Sequence, residues 1–138
     1  MKNILVLCTG NSCRSQIAHG YLEYYCKDKA KIYSAGIEIH GVNKMAIEVM
    51  SRDGIDISMN SSNNVEEYKL IDFDYIITVC DHANENCPFI PSINAIRIHQ
   101  NFNDPSKSNL LGLKRKENFI EVRNKIKNFC KNFTNDNF

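Results

Sequence analysis

The 138-residue chain lacks any marked excess of charge: 17 Lys and Arg stand against 16 Asp and Glu, a formal net charge of +1. That balance gives no broad electrostatic case for nucleic acid or for an anionic membrane as partner, so any selectivity for anions must be local. Long apolar runs are missing too. No stretch approaches the roughly 20 residues of a membrane span. The run after Lys2 is too short for a secretory leader, and Cys8 follows it at once. Internal repeats, linkers and low-complexity tracts are also absent. The length is therefore read as one domain, residues 1–138, large enough to bury a core without disulfide staples. The chain is expected to be cytoplasmic and monomeric. In a reducing compartment its six cysteines are read as reactive, metal-binding or buried rather than structurally paired.

What is present is an alternation of short apolar runs with helical periodicity. Residues 3–7 read as a buried strand. Residues 14–27 read as a helix with Ile17, Tyr21 and Tyr25 on one stripe and Ala18 and Leu22 beside it. Residues 31–37 form a second strand ending near Gly36. Residues 43–54 form a helix with Ala46, Val49 and Met50 inward, closed by Gly54. The polar stretch 58–68 holds a turn and a short helix. Strands follow at 74–79 and 95–98. The last helix covers about 116–132, with Phe119, Val122, Ile126 and Phe129 on its buried stripe, and the tail beyond it is expected to fray. This order implies an α/β fold, a four-stranded parallel sheet flanked by helices. Ligands of such folds sit beyond the carboxyl ends of the strands, where both Cys8 and Cys80 fall.

The segment CTGNSCRS, Cys8 to Ser15, joins the first strand to the first helix. A helix N-terminus presents unpaired N–H groups and a partial positive charge. Gly10 and Asn11 tolerate positive φ, which lets successive N–H groups curl into a concave anion nest. Thr9, Ser12 and Cys13 complete that loop. Arg14 adds a planar fork suited to two oxygens of a tetrahedral oxyanion. Cys8 lies at the bottom, its thiolate stabilised by the same N–H groups, and Ser15 can donate to its sulfur. The loop reads as a nucleophilic thiolate under a phosphate-like anion. The plainer alternative, a buried cysteine followed by a helix cap, does not account for the C-x5-R-S spacing. Downstream, Cys80 and Cys87 bracket a polar stretch, CDHANENCP, that is expected to be mobile and largely exposed. A zinc site is the alternative reading for this pair. It wants four ligands, and His82 is the only candidate near them.

CTGNSCRS resembles the start of the low-molecular-weight protein tyrosine phosphatase family and of its relatives, the thioredoxin-coupled arsenate reductases. YSAGIE with HGVN (33–43), DIS (56–58), ITVCDHANENCP (77–88) and NDP (103–105) resemble the reductase branch, in order and over most of the chain. Gln16 stands where phosphatases usually carry proline. The resemblance implies a flavodoxin-like three-layer sandwich and an oxyanion-binding loop of Thr9, Gly10, Asn11, Ser12, Cys13, Arg14 and Ser15. It also implies reduction of arsenate to arsenite by a relay of three thiols. Cys8 attacks arsenic, and Asp104, followed by Pro105, protonates the departing oxygen. Cys80 attacks the Cys8 sulfur. Cys87 then takes over Cys80, and thioredoxin reduces the resulting disulfide. No organic cofactor and no metal ligand set is implied.

The chain departs from these relatives at two carboxylates that help them hold potassium. His19 and Asn63 occupy those places, so potassium binding is not expected. A tryptophan common before the Asp-Pro pair is also absent, with Phe102 placed to fill its space. Cys13 recurs in both branches and does not discriminate between them. Cys26 and Cys130 are read as buried, and His40 and His99 as structural. Two competing functions remain: a tyrosine phosphatase, for which the SKSN after Pro105 supplies no aromatic slot, and a non-enzymatic oxyanion or redox sensor.

Overall fold

Ile4, Leu5, Val6 and Leu7 are an unbroken apolar run, the composition of a parallel strand covered on both faces, and all four are buried. The computed structural model describes residues 1–86, 92 and 94–138. This run is the heart of β1 (Lys2–Cys8), which pairs in parallel with β2 (Ala30–Gly36) on one side and β3 (Tyr75–Thr78) on the other. The sheet ends in β4 (Ile96–His99), giving the order β2-β1-β3-β4. Among the described residues four α-helices flank it: α1 (Arg14–Cys26), α2 (Lys44–Arg52), α3 (Asp81–Asn86) and α4 (Gly112–Asn137). The α/β architecture with four parallel strands is the one expected from the sequence, with each strand end shifted by one residue.

The helices bury the stripes their periodicity marks. Ile17, Ala18, Tyr21 and Leu22 of α1, with Ala46, Val49 and Met50 of α2, join Phe119, Val122 and Ile126 of α4 in one core. α2 starts on a good cap, since the Asn43 side chain accepts from the Ala46 N–H at 3.0 Å. It is followed by Gly54 at φ +80°, a backbone that favours glycine. Phe102 is buried and meets Phe129 edge to face at 5.8 Å.

Two expectations fail. The tail does not fray: α4 runs on to Asn137 because Cys130, Phe133 and Thr134 continue its buried stripe, and Phe133 packs on Tyr75 at 5.2 Å. The stretch after β3 opens as a helix rather than a loop, although Asp81 and His82 are exposed as expected. Cys80 is buried and α3 follows it immediately. The Ala83 N–H donates to Cys80 Sγ at 3.4 Å, so the thiol caps a turn whose donors otherwise lack partners. Asp81 in the first turn also suits the positive end of the helix. Cys87 lies outside the described residues.

Chain order sets the position of the site. The chain passes from β1 to β2 on one side and then crosses to β3 on the other, so the carboxyl ends of β1 and β3 flank a topological switch point. Cys8 ends β1, and Cys80 stands two residues beyond β3.

Where α1, α2 and α4 meet, the buried Tyr21 hydroxyl donates to Asp53 Oδ2 at 2.7 Å, and Lys127 Nζ donates to the same oxygen at 2.8 Å. The Lys127 hydrogen bond, with help from Tyr21, holds the Asp53 carboxyl below the usual carboxylate range. Asp53→Ala leaves the Tyr21 hydroxyl buried without its acceptor and should cost about 1–3 kcal/mol in urea unfolding. A carboxyl held low in the folded state stabilises at neutral pH and loses that contribution as pH falls through its folded value. The gap between wild type and Asp53→Ala should therefore narrow on acidification. A gap that stays constant down to the acid transition would show that the charge contributes nothing.

Candidate active site

Between β1 and α1 every carbonyl of the loop is bonded from outside. Thr9 O accepts the Glu38 N–H at 2.9 Å, Gly10 O the His40 N–H at 3.0 Å, and Ser12 O the Asn43 N–H at 2.9 Å. Asn11 O accepts the Gln16 side-chain amide at 3.1 Å, and the Ser62 hydroxyl reaches both Gly10 O and Asn11 O at 2.9 Å. In a trans peptide the N–H points opposite to the carbonyl before it, and the described residues contain no cis bond. Four outward carbonyls therefore turn the N–H groups of Gly10, Asn11, Ser12 and Cys13 inward. They face a pocket of about 90 Å³ that Cys8 and Arg14 also line. Asn11 sits at φ 47°, as a nest requires.

Gly10 serves differently from the expectation: its φ is not positive. Instead the His40 ring lies over it, and a Cβ there would collide with that ring. Gly36 is a second close approach, where a Cβ would come within 2.7 Å of the Asn11 amide nitrogen. It lets the end of β2 lie against the loop.

Cys8 is buried, with Sγ 3.0 Å from Ser15 Oγ. The Asn11 side-chain amide donates to that same Ser15 oxygen at 2.8 Å. The Ser15 hydroxyl hydrogen is thus left to donate to Cys8 when the sulfur is ionised. Cys13 is the opposite case. Burial, then the charge of Asp104 and the presence of Cys8, push its thiol far up, so it stays protonated and inert. Burial acts in the same direction on Cys26 and Cys130.

Arg14 opens α1 with its side chain 12% exposed. Nη1 donates to the Phe102 carbonyl at 2.8 Å, and Nη2 stands 3.5 Å from Asp104 Oδ2. Asp104 Oδ1 accepts both the Ser106 N–H at 3.0 Å and its hydroxyl at 2.6 Å, capping the turn Pro105–Lys107. Asp104 is thus both a turn residue and a pocket residue. Across the switch point, Cys80 Sγ is 3.4 Å from Thr9 Oγ1, which brings the second thiol to the loop that holds the first.

Of the residues expected at the site, Cys8, Thr9, Gly10, Ser12, Cys13, Arg14 and Asp104 line the pocket. Asn11 and Ser15 lie fully buried behind it. Sequence reasoning missed His40, Ser106 and Lys107, which close the outer wall. It also missed the buried Gln16, which donates to Asn11 O and to Ser61 O at 3.0 Å and accepts from Asn60 at 3.1 Å. Ser106 and Lys107 follow directly on Asp104-Pro105, a sequence signal that was available.

The side chains present do not suit a potassium ion beside this loop. His19 Nδ1 lies 2.7 Å from Ser34 Oγ, and its Nε2 pairs with Glu23 at 3.3 Å. Asn63 Oδ1 accepts from Ser61 at 2.8 Å, and its N–H donates to Asn11 Oδ1 at 2.8 Å. A hard cation wants several oxygen donors, and here an imidazole and an amide stand in place of two carboxylates, with the neighbouring oxygens engaged in the hydrogen bonds just given.

The family model of low molecular weight phosphotyrosine protein phosphatase matches residues 3–136. A protein of Halalkalibacterium halodurans named arsenate reductase is 43% identical over 132 residues, covering 96% of this chain and 94% of its own. The Bacillus subtilis arsenate reductase is 41% identical over the same length, with 96% and 94% covered. A solved arsenate reductase in an oxidized state superposes with a TM-score of 0.81 at 28% identity, covering 99% of this chain and 98% of that one. The low molecular weight protein tyrosine phosphatase of T. tengcongensis reaches the same TM-score of 0.81 at 20% identity, with 99% of each chain covered, a likeness of fold.

Because the side chains present do not suit potassium, thermal unfolding should give the same midpoint in potassium, sodium and choline chloride at equal ionic strength. A potassium-specific rise of several degrees would show that other oxygens rebuild a cation site.

Proposed function

Because the chain belongs to the low molecular weight phosphotyrosine protein phosphatase family, we propose that it uses the family's loop to reduce arsenate to arsenite with three thiols, regenerated by thioredoxin. The observation that carries this reading is the second buried sulfur: Cys80 Sγ lies 3.4 Å from Oγ1 of Thr9, the residue that follows Cys8. Hydrolysis of a phosphate ester has no use for it. The pocket argues the same way. At about 90 Å³, with no Phe or Tyr among the described residues that line it, it suits a small oxyanion and not the ring of a phosphotyrosine.

Arsenate enters with its oxygens on the inward N–H groups and the Arg14 fork. The Cys8 thiolate attacks arsenic, and an arsenate oxygen leaves as water. Asp104 supplies the proton. Its Oδ1 already accepts two hydrogen bonds from Ser106, so Oδ2 is the oxygen left to carry it. The Cys80 thiolate then attacks the Cys8 sulfur. The S–As bond breaks with its electron pair going to arsenic, which leaves as arsenite, and a Cys8–Cys80 disulfide remains. The two electrons gained by arsenic are the two lost by the thiols. Cys87 attacks Cys80 in turn and frees Cys8, and the dithiol of thioredoxin reduces Cys80–Cys87.

We read the exchange from Cys8–Cys80 to Cys80–Cys87 as one that unwinds α3: a residue that continued this six-residue helix to position 87 would stand about 10 Å from Cys80 at the usual rise, beyond the roughly 7 Å between Cα atoms that a disulfide allows.

Cys8→Ser should abolish arsenate reduction outright, and Arg14→Lys should be nearly as severe, since a point charge does not replace a bidentate fork. Asp104→Asn should slow formation of the Cys8 adduct by about 10²–10⁴-fold while oxyanion affinity, followed by phosphate titration, is retained. Near-normal turnover by Cys8→Ser would remove the basis of the mechanism.

The two downstream thiols should fail differently. Without added thiol, Cys80→Ser should release no arsenite. Cys87→Ser should release one per enzyme and stop with Cys8–Cys80 linked, whereas wild type should stop with Cys80–Cys87 linked. Mass-spectrometric peptide mapping reads these pairings. Repeated turnover of both variants with thioredoxin would make Cys80 and Cys87 bystanders.

A further inference from the structure

His99 ends β4, level with Thr78 of β3 in the sheet register. Its Nδ1 lies 2.7 Å from Thr78 Oγ1, and its Nε2 lies 2.6 Å from Asp81 Oδ1. A carboxylate only accepts, so Nε2 carries a hydrogen, and in the neutral ring Nδ1 accepts from the threonine hydroxyl. Asp81 is the first residue of α3, and its own N–H donates to Asn101 Oδ1 at 3.1 Å. The start of α3 is thus held at two atoms, side chain and amide, by residues at and just beyond the end of β4. Cys80 immediately precedes Asp81, held in turn by the Ala83 N–H and the Thr9 hydroxyl. None of His99, Asp81 and Asn101 lines the pocket.

We propose that the chain Thr78–His99–Asp81, together with Asn101, is a clasp that positions Cys80. It fixes the first turn of α3 so that the Cys80 sulfur rests against Thr9 within reach of Cys8, and it releases when α3 unwinds to pass the disulfide on. This inference rests on the three-thiol reading above. A helix of six residues does not hold itself together in water, so its geometry depends on such anchors. The pair is also poorly suited to any global role. Asp81 is 63% exposed and His99 31% exposed, and ion pairs at that exposure add little to overall stability. What it governs is local, the seat of one sulfur. His99 and Asp81 are therefore positioning residues that act through Cys80.

The test uses the full chain and variants remote from Cys8. Asp81→Ala and His99→Leu should raise the rate of Cys80 alkylation by iodoacetamide, read by peptide mapping, about three- to tenfold, the equivalent of one lost hydrogen bond. Both should slow single-turnover arsenite release by a similar factor. Phosphate affinity and the urea midpoint should stay at wild-type values. His99→Gln, which keeps an N–H near the position of Nε2, should recover most of the loss, a rescue that a merely space-filling role would not predict. Unchanged Cys80 alkylation in both Asp81→Ala and His99→Leu would overturn the clasp, whatever the turnover. If wild type releases no arsenite while Asp81→Ala still exposes Cys80, the clasp stands and the relay falls. If wild type releases arsenite and both variants match it in alkylation and release, the clasp alone falls.

Discussion

The site depends on which way four peptide planes are turned. The carbonyls of Thr9, Gly10, Asn11 and Ser12 are all occupied from outside the loop, and the planarity of the peptide bond converts those bonds into inward N–H groups. Nothing inside the pocket has to hold them there. Residues 36–43 supply three of the bonds through their backbone N–H groups, and Ser62 and Gln16 supply the rest. The direction of these N–H groups is therefore set by the fold and not by anything in the pocket.

The same economy governs the thiols. Cys8 and Cys13 occupy one loop, yet Cys8 has the Ser15 hydroxyl beside its sulfur while Cys13 is buried near Asp104. A short sequence separates a sulfur that lines the pocket beside a hydroxyl from one that burial keeps protonated. Cys80 reaches the same place from the other side of the switch point, and strand order alone, β1 beside β3, makes that meeting possible.

How much of this was legible in the sequence follows from how local each feature is. The loop could be read from residue types because a strand, a C-x5-R spacing and a helix start lie within a dozen positions. The helical stripes of α1, α2 and α4 were readable for the same reason. The outer bonds were not, since Glu38, His40, Asn43 and Ser62 meet the loop only after the chain has folded back. Gly10 was correctly singled out for the wrong reason: its lack of a side chain admits the His40 ring rather than a positive φ. The polar composition of residues 80–88 suggested an exposed loop, and a cap made by a cysteine sulfur is not a signal that polarity rules contain. The tail of α4 was misjudged because its polar residues hid Phe133 and Phe138, whose partner Tyr75 lies far away in the chain.

The margin of the sheet has a consequence for self-association. β4 is an outer strand with one side of its backbone unpaired by the sheet, the kind of edge on which another chain can add a strand. It is only four residues long and carries the exposed Arg97 and His99 along with Ile96. Brevity and charge make it a poor template. At the opposite margin, the last residue of β2 is covered by a single bridge from Gly36 to Asn64. The segment next to Ser62 and Asn63, which bond the loop after β1, thus also shortens the open border of the sheet.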